Sequence, residues 1–233
     1  MGPPPTFAAE RSLWRQGLSL IAGIDEVGRG PLAGPVAAGA VILPPGARAD
    51  ARPSGRFRWL SGVRDSKQLS AAARADLAPL IWRDALAAAV AFVPVESIDR
   101  LGIAEAARQA MLRAVGDLSC RPQHLLIDAF RLPACSLPQT PITGGDALSL
   151  SIACASIIAK VARDCFMVEQ HHRFPGYAFH HNKGYATPQH LDALALLGPC
   201  DLHRRSFAPV REMLALSEAE ACPERSRRGL VPA

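Results

Sequence analysis

The sequence predicts an α/β fold, with a mixed sheet flanked by helices and a small helical C-terminal extension. Two observations support this prediction. Apolar segments with strand character alternate with segments of helical periodicity along the first two thirds of the chain. Beyond about residue 170 the pattern contains loops and short helices and no further strand. With 49% hydrophobic and 20% charged residues, the composition is that of a soluble globular protein with a sizeable core.

Four short apolar segments are predicted as strands because turn residues or polar residues bound them. They cover residues 18–24, 35–43, 87–95 and 124–128.

The helices are predicted from apolar periodicity and from their caps. The first begins near Ser70, whose hydroxyl is a good N-cap. The others cover residues 102–118, 147–170, 188–197 and 206–216, and the apolar first half of the helix at 147–170 predicts a central position for it.

Composition divides the chain into four regions. Residues 1–15 are rich in proline and then polar, which predicts a loose N-terminal segment. A main domain is predicted over 16–170, a helical extension packed on it over 171–216, and a disordered tail of mixed charge over 217–233. Residues 46–62, rich in arginine, glycine and proline, predict an exposed loop.

Charge and cysteine usage exclude several classes of protein. A net charge of +5 and a pI near 9.1 favour an anionic partner, although weakly. The six cysteines form no C-x-x-C pair, which argues against a zinc ribbon or a thioredoxin-like site. Neither a signal peptide nor an apolar run near the ~18 residues of a membrane span is present. We therefore expect a cytoplasmic protein with reduced thiols and no membrane contact.

The segment GIDEVGRGPLAG at residues 23–34 combines two acids with a glycine-rich turn. Gly28, Gly30 and Ala33 match the dinucleotide-binding pattern, which requires a crossover helix directly after it. The next residues, GPVAAGAVILPPG, predict a strand instead, and this disfavours a dinucleotide-binding dehydrogenase. No Walker-type phosphate loop occurs in the chain.

Acidic residues also follow strands elsewhere in the chain. Asp25 follows the first strand and Asp128 ends the strand HLLID, so both are expected at the carboxyl edge of one sheet. Asp146 precedes the long helix, where capping is an alternative role. Asp164 follows Lys160 by four residues, which a helix-surface ion pair explains.

Clustered carboxylates repel one another unless cations compensate them. Hard oxygen ligands favour Mg²⁺ or Mn²⁺. Two such ions about 4 Å apart can activate water and stabilise the leaving oxygen in phosphodiester hydrolysis. The acids before the glycine-rich turn therefore predict a metal site that also attracts phosphate.

Six motifs in order, from about residue 20 to residue 211, closely resemble ribonuclease HII, the type 2 ribonuclease H. They are GIDEVGRGPLAGPV, DSKQLS, GGD, SIIAKVARD, FPGYAFHHNKGYAT and HRRSFAPV. The resemblance implies a ribonuclease H-like fold, with the catalytic domain at 16–170. It also implies endonucleolytic cleavage of RNA in RNA–DNA hybrids and nicking on the 5′ side of single ribonucleotides in duplex DNA, leaving 5′-phosphate and 3′-hydroxyl ends.

The resemblance also assigns the catalytic and metal-binding residues. It implies two Mg²⁺ or Mn²⁺ ions, bound with substrate by a quartet in which Asp146 is favoured over Asp164. The quartet is Asp25, Glu26, Asp128 and Asp146.

The same resemblance assigns substrate contacts. Gly28, Arg29 and Gly30 form the turn that grips the nucleotide at the RNA–DNA junction, where backbone amides can read its 2′-hydroxyl. Tyr185 stacks on the deoxyribose after the junction; a half-buried core tyrosine is the alternative. Lys67 and Lys183 are candidate phosphate contacts, with a solvated surface position as the alternative.

Two residues depart from the family pattern, because Ala129 follows Asp128 where many members have glycine and Gly144 stands where bacterial members often have lysine. Neither change removes a carboxylate. The histidine pairs at 171–172 and 180–181 fit no common zinc spacing. A non-catalytic nucleic-acid-binding module of the same fold is the alternative function, and a monomer is expected.

Overall fold

The computed structural model describes residues 2–47 and 55–221, with side chains described as far as Leu216. Within these residues five strands form one mixed sheet, in the order β3-β2-β1-β4-β5. The strands are β1 (Ile21–Val27), β2 (Val36–Ile42), β3 (Ala87–Val93), β4 (His124–Asp128) and β5 (Gln139–Ile142). β2 runs antiparallel to β1 and β3, whereas β1, β4 and β5 are parallel to one another.

Helices cover both faces of the sheet. They are α1 (Ala8–Trp14), α2 (Ala71–Asp84), α3 (Val95–Leu101), α4 (Ile103–Gly116), α5 (Gly145–Leu148), α6 (Leu150–Arg173), α7 (Phe179–Asn182), α8 (Pro188–Leu197) and α9 (Ala208–Ala221). The apolar face of α4 packs on one side of the sheet, and α6 with α2 packs on the other. Because both faces are covered, all seven residues of β2 are buried. The predicted fold class is thus confirmed.

The long helix α6 lies directly on the sheet backbone. A Cβ atom at Gly23 would stand 2.1 Å from the carbonyl carbon of Ser151, and one at Gly39 would stand 2.2 Å from the carbonyl oxygen of Ala155. Only glycine allows this approach, since real Cβ atoms need more than 3 Å. The contact carries Ser156 on α6 to the level of Asp25 on β1, where its hydroxyl opposes the rise in the pKa of the carboxyl group.

Several predicted boundaries agree with the structure. β4 has the predicted limits, and the hydroxyl of Ser70 accepts a hydrogen bond from the Ala73 amide at 3.1 Å to cap α2. The predicted long helix is interrupted at Ser149, whose extended backbone separates α5 from α6. The predicted boundary at residues 170/171 lies inside α6.

The prediction of a loose segment over residues 1–15 is wrong for α1. Phe7 is buried in the core, and the buried Glu10 carboxylate accepts hydrogen bonds from the Ser149 hydroxyl at 2.6 Å and the Ser151 amide at 3.0 Å. An acid that binds the first turn of a helix stabilises it. α1 is therefore attached to the start of α6, which its polar sequence does not indicate.

The strand prediction also missed two features. β1 continues through Asp25 and Glu26 to Val27, because pairing with β2 extends that far. β5 was not predicted, since its sequence QTPI is polar and contains a proline, which an edge strand tolerates. The unpredicted helix α3 follows β3 directly.

Two predicted flexible regions lie partly outside the described residues. Of the predicted loop at 46–62, residues 48–54 are outside them, and Arg58–Gly62 forms a 3-10 helix. Of the predicted tail at 217–233, residues 222–233 are outside them, and α9 continues to Ala221. No helix of the described residues has the length and hydropathy needed to span a bilayer.

The contact between α6 and β2 predicts a stability effect. Gly39→Ala should lower the free energy of unfolding by about 2 kcal/mol or more, because the new methyl group overlaps the Ala155 carbonyl oxygen. Urea denaturation followed by circular dichroism measures the change. Gly116→Ala is the matched control: it adds the same methyl group at the end of α4, where nothing lies within 4 Å, and should be neutral or stabilising. Equal stability of the two variants would contradict the described contact.

Candidate active site

Two acidic side chains meet where β1 and β4 lie side by side. The parallel register pairs Ile24 with Ile127, so the next residues, Asp25 and Asp128, occupy adjacent positions on neighbouring strands. This is the carboxyl end of both strands, as the sequence predicted. Glu26 follows on β1, and its side chain is 9% exposed.

The fourth acid of the predicted quartet reaches this edge from α5. Asp146 is buried, and its Oδ2 atom accepts a hydrogen bond from the Lys67 ammonium group at 3.2 Å. The amide of its neighbour Gly145 donates to Asp128 Oδ1 at 2.7 Å and so joins α5 to β4. Ser149 caps α6, with its hydroxyl accepting from Ile152, which leaves Asp146 without a capping role there.

The acids form one electrostatic group. Burial and then the charge of Glu26 raise the pKa of Asp25 well above its ordinary value, with further contributions from Asp128 and Asp146. Burial also raises the pKa of Glu26 to about 7, although Arg29 opposes the shift through an ion pair at 3.3 Å. Burial and the nearby Asp146 raise the pKa of Asp128, against the Gly145 hydrogen bond. Ionising all of these carboxyl groups at once is therefore energetically unfavourable in the folded chain.

The chemistry of these donors fits a hard divalent cation. Glu26 Oε2 is buried and has no hydrogen-bond partner within the described residues, so it is an oxygen available as a ligand. As the side chains stand, no three acidic, histidine or cysteine side chains of the described residues converge into a ready-made metal site. One oxygen of Asp25 is directed to the Glu26 amide, one of Asp128 to Gly145 and one of Asp146 to Lys67.

The glycine-rich turn forms one wall of the cleft above these acids. Gly28 has a φ of +91°, and a Cβ atom there would stand 2.2 Å from the Arg163 side chain, so glycine is required. A Cβ atom at Gly30 would meet nothing within 4 Å, so this glycine faces open space. Above the turn, the Arg29 guanidinium lies 4.7 Å from the centre of the Phe130 ring, which orients it beside Glu26.

The fully buried Arg204 supports the glycine-rich turn from the interior of the protein. The Arg204 guanidinium donates to the carbonyl oxygens of Gly28 at 2.6 Å and Arg29 at 3.0 Å, and also to those of Gly34 and Pro35. Because C=O and N–H point in opposite directions across a trans peptide, the amides of Arg29 and Gly30 are turned away from Arg204. The turn therefore presents N–H groups on the side opposite the buried guanidinium, a form that suits an oxygen ligand.

A second buried arginine joins the turn to the segment before Tyr185. Arg163 donates to the carbonyl oxygens of Pro35 at 2.8 Å, Ala33 at 3.0 Å and Lys183 at 3.1 Å. Sequence reasoning missed the buried position of both arginines: it does not single out Arg163, and it offers Arg204 only as a phosphate contact or a solvated surface residue. Burial lowers the pKa of both guanidinium groups, that of Arg204 to about 9, and carbonyl oxygens rather than carboxylates bind them.

The structure brings most of the predicted site residues to one open cleft of about 240 Å³. Its lining includes Asp25, Glu26, Gly28, Arg29, Gly30, Lys67, Asp128 and Tyr185, together with the unpredicted Ser66, Ser156 and Lys160. Tyr185 is 41% exposed, and the Lys160 ammonium group lies 5.7 Å from the centre of its ring. Lys183 does not line this cleft; its ammonium group donates to the His180 carbonyl, and its side chain borders a neighbouring groove.

The remaining candidates lie elsewhere. Asp164 binds Lys160 at 2.6 Å and lies 3.8 Å from Arg74, which agrees with an ion-pair role on α6. The ring centres of His171 and His180 lie 3.8 Å apart, with the two ring planes tilted by 33°.

The family model and the curated relatives agree on one family, and the solved structures share its fold. The family model described as ribonuclease HII matches residues 22–210. The ribonuclease HII of Moorella thermoacetica is 53% identical over 201 residues, which is 86% of this chain and 92% of the relative. Among solved structures, the ribonuclease H2 of Pyrococcus horikoshii OT3 superposes with a TM-score of 0.68 at 23% identity, covering 85% of this chain and 98% of that one. Bst-RNase HIII in complex with Mn²⁺ has a TM-score of 0.64 at 22% identity, covering 88% and 72%.

The raised pKa of Glu26 predicts how stability depends on pH. A carboxyl group whose pKa rises from 4.5 to about 7 on folding binds more protons when folded, so its contribution is full below pH 4.5 and is lost as pH rises through 7. In EDTA, Glu26→Gln should therefore raise the free energy of unfolding at pH 8 by about 1 kcal/mol or more, and change it little at pH 5. Chemical denaturation at both pH values measures this. A gain of the same size at pH 5 and pH 8 would contradict the assigned pKa.

Proposed function

Since the chain belongs to the ribonuclease HII family, whose members are endoribonucleases acting on RNA–DNA hybrids, we propose that it also nicks duplex DNA on the 5′ side of a single embedded ribonucleotide. The products are a 5′-phosphate and a 3′-hydroxyl end, and the reaction depends on Mg²⁺ or Mn²⁺. The single observation that supports this proposal best is the common cleft: coupled carboxylates, an outward-facing amide turn and a half-exposed tyrosine border one space.

Asp25, Glu26, Asp128 and Asp146 would hold the divalent ions. Such ions, when bound, neutralise the carboxylates, lower the pKa of a coordinated water and offset charge on the leaving oxygen. The buried, unpaired Oε2 atom of Glu26 and the raised pKa values of three of the acids support this assignment. The structural relative Bst-RNase HIII is described in complex with Mn²⁺, which agrees with it.

Lys67 has a distinct part in this arrangement. Its ammonium group balances the charge of Asp146, yet its side chain is 79% exposed at the mouth of the cleft. A cationic group with that freedom can turn from Asp146 to a substrate phosphate when cations take over the carboxylate charge. We assign Lys67 to phosphate binding, and we place Lys183 outside the catalytic cleft because its ammonium group is bound to a backbone carbonyl.

The turn of Gly28, Arg29 and Gly30 would recognise the ribonucleotide. Its amides face away from Arg204, and open space at Gly30 leaves room for a sugar to approach the backbone. An amide N–H can donate to a 2′-hydroxyl or a phosphate oxygen, and the 2′-hydroxyl is the atom that distinguishes RNA from DNA. The turn therefore selects the nucleotide whose phosphate lies over the acids.

Tyr185 would contact the sugar that follows the ribonucleotide and would favour a deoxyribose there. Tyr185 lines the same cleft, and the cationic groups of Lys160 and Arg163 lie 5.7 and 6.0 Å from the centre of its ring. A ring packed against a sugar leaves no space for a 2′-hydroxyl on that sugar. Recognition of one ribose by the turn and one deoxyribose by the tyrosine defines a junction. A phosphodiester bond at such a junction is therefore cleaved in preference to one between two ribonucleotides.

The alternative, a nucleic-acid-binding module without catalysis, would not need four clustered acids, of which Asp25 and Asp146 are buried. A surface that binds phosphates gains affinity from positively charged side chains, whereas acidic side chains at its centre oppose binding. The acids and their raised pKa values therefore favour the nuclease.

The proposal is tested with labelled duplex DNA that carries one ribonucleotide, incubated with Mg²⁺, Mn²⁺ or EDTA. We expect one nick on the 5′ side of the ribonucleotide with either cation and none in EDTA. Gel electrophoresis beside size markers with a 5′-phosphate or 3′-hydroxyl end identifies the products. Cleavage of a uniform RNA–DNA hybrid without any nick at the single ribonucleotide would disprove the junction proposal while leaving the hybrid nuclease intact.

The quartet is tested by two matched substitutions. Asp146→Asn should lower the cleavage rate by more than about 100-fold. Loss of a residue that only hydrogen-bonds to a metal ligand lowers activity by up to about 100-fold, so a larger loss indicates a direct ligand. Asp164→Asn, an equal change in an acid of the α6 ion pairs, should keep the rate within about fivefold of the unchanged protein. The reverse outcome would make Asp164 the fourth ligand.

A further inference from the structure

Two buried histidines lie behind Tyr185, outside the catalytic cleft. His190 on α8 is 0% exposed and His203 in the loop before α9 is 1% exposed, and their Nε2 atoms are 3.1 Å apart. Neither histidine has a role in the function proposed above. A direct contact between two imidazole nitrogens requires that one donates a hydrogen and the other accepts it.

The outer nitrogens of the pair determine which ring donates. The Cys200 amide, which can only donate, lies 3.0 Å from His203 Nδ1, so this nitrogen accepts. The Tyr185 carbonyl oxygen, which can only accept, lies 2.8 Å from His190 Nδ1, so that nitrogen carries a hydrogen. A neutral imidazole has one hydrogen, and His203 Nε2–H must therefore donate to His190 Nε2. One tautomer of each ring satisfies all three hydrogen bonds.

The surroundings keep both rings neutral. Tyr177 and Phe179 pack against them, with ring centres 4.9 Å from His203 and 5.5 Å from His190 respectively. Burial and the neighbouring ring lower the pKa of His203 to about 4, and burial lowers the pKa of His190. A proton on either ring would place two N–H groups against each other. The three hydrogen bonds therefore run in one direction, from the Cys200 amide through His203 and His190 to Tyr185.

This chain of bonds ends on the backbone of the residue whose ring enters the cleft. The Tyr185 carbonyl accepts from His190 and from the Thr187 amide, both at 2.8 Å, while the Tyr185 amide donates to Asn182. Tyr185 is 41% exposed, and the cationic groups of Lys160 and Arg163 near its ring leave much of the side chain unsupported. The position of the ring over the cleft thus depends on its backbone, which the histidines support from the buried side.

We propose that the His203–His190 pair positions Tyr185 and thereby sets the preference of the enzyme for a ribose–deoxyribose junction. The inference rests on the proposed function, because Tyr185 is assigned there to the sugar after the ribonucleotide. His190 and His203 are positioning residues, since neither touches the cleft that receives substrate. They act through the backbone of Tyr185 and make no contribution to the chemical step.

The tautomers are measured first, on the unchanged protein. Two-dimensional ¹H–¹⁵N spectra of the imidazole nitrogens at pH 7 should show the hydrogen of His190 on Nδ1 and that of His203 on Nε2. The opposite assignment for either ring, or rapid exchange between tautomers, overturns the proposal. This measurement needs neither substrate nor metal ion, so its outcome is independent of the nuclease proposal.

The effect on selectivity is measured with a double-mutant cycle. The readout is the ratio of kcat/KM for duplex DNA with one ribonucleotide to kcat/KM for a uniform RNA–DNA hybrid. His190→Leu should lower this ratio about tenfold, as should Tyr185→Ala, and the double variant should be no worse than Tyr185→Ala alone. His190→Asn, whose amide can replace the Nδ1–H donor, should restore most of the ratio. His124→Leu, at a histidine near the surface that contacts Thr140, is the control and should leave the ratio unchanged.

The possible outcomes separate the two proposals. Additive losses in the cycle, or equal losses on both substrates, would mean that His190 supports the fold in general, and the positioning proposal would be overturned. An unchanged ratio in His190→Leu overturns it as well. If His190→Leu does not fold, the cycle is carried out with His190→Ala, which removes the same Nδ1–H donor and leaves a smaller side chain. If the unchanged protein cuts hybrids but never nicks at a single ribonucleotide, the junction proposal itself is wrong and the positioning proposal falls with it.

Discussion

Repulsion among Asp25, Glu26, Asp128 and Asp146 is the constraint around which the rest of the molecule is arranged. Burial at the carboxyl ends of β1 and β4 strengthens the repulsion and raises the pKa of the first three acids. The chain opposes it with only a few local groups, chiefly Arg29 beside Glu26 and Lys67 beside Asp146. The acids are held together by the sheet and by α6, whose backbone contact with Gly23 and Gly39 leaves little room for adjustment. We therefore expect the folded chain to gain stability when divalent cations bind.

Among the described residues, the glycine-rich turn and the segment before Tyr185 are held by arginines that hydrogen-bond to carbonyl oxygens and not to carboxylates. Arg163 and Arg204 are both fully buried, and backbone carbonyl oxygens bind their guanidinium groups. That arrangement leaves the Asp and Glu residues free for the cleft and turns the amides of the glycine-rich turn away from the arginines. The histidine pair behind Tyr185 also avoids a buried charge. Its two rings are neutral, and the hydrogen bond between them continues a chain of hydrogen bonds through the core.

Much of the fold and of the site could be predicted from the sequence, because both depend on local patterns. Apolar runs bounded by turn residues predicted four of the strands, and acids that follow such runs predicted the positions of Asp25 and Asp128. What could not be predicted depends on distant contacts. α1 looks polar because its buried Glu10 binds the start of α6, and β5 looks like a loop because an edge strand needs little apolar surface. Arg204 was visible in its motif, but the four carbonyl groups that hold it lie about 170 residues away along the chain.

The central claim is that the four carboxylates form a cation site whose occupation relieves their repulsion. The most direct test is the free energy of unfolding at pH 8 as a function of Mn²⁺ concentration, without nucleic acid. We predict that stability rises with the logarithm of Mn²⁺ concentration above the dissociation constant. We also predict that Asp25→Asn is more stable than the unchanged protein in EDTA but loses most of the gain from Mn²⁺. A stability that does not respond to Mn²⁺, or a gain that Asp25→Asn retains in full, would contradict it.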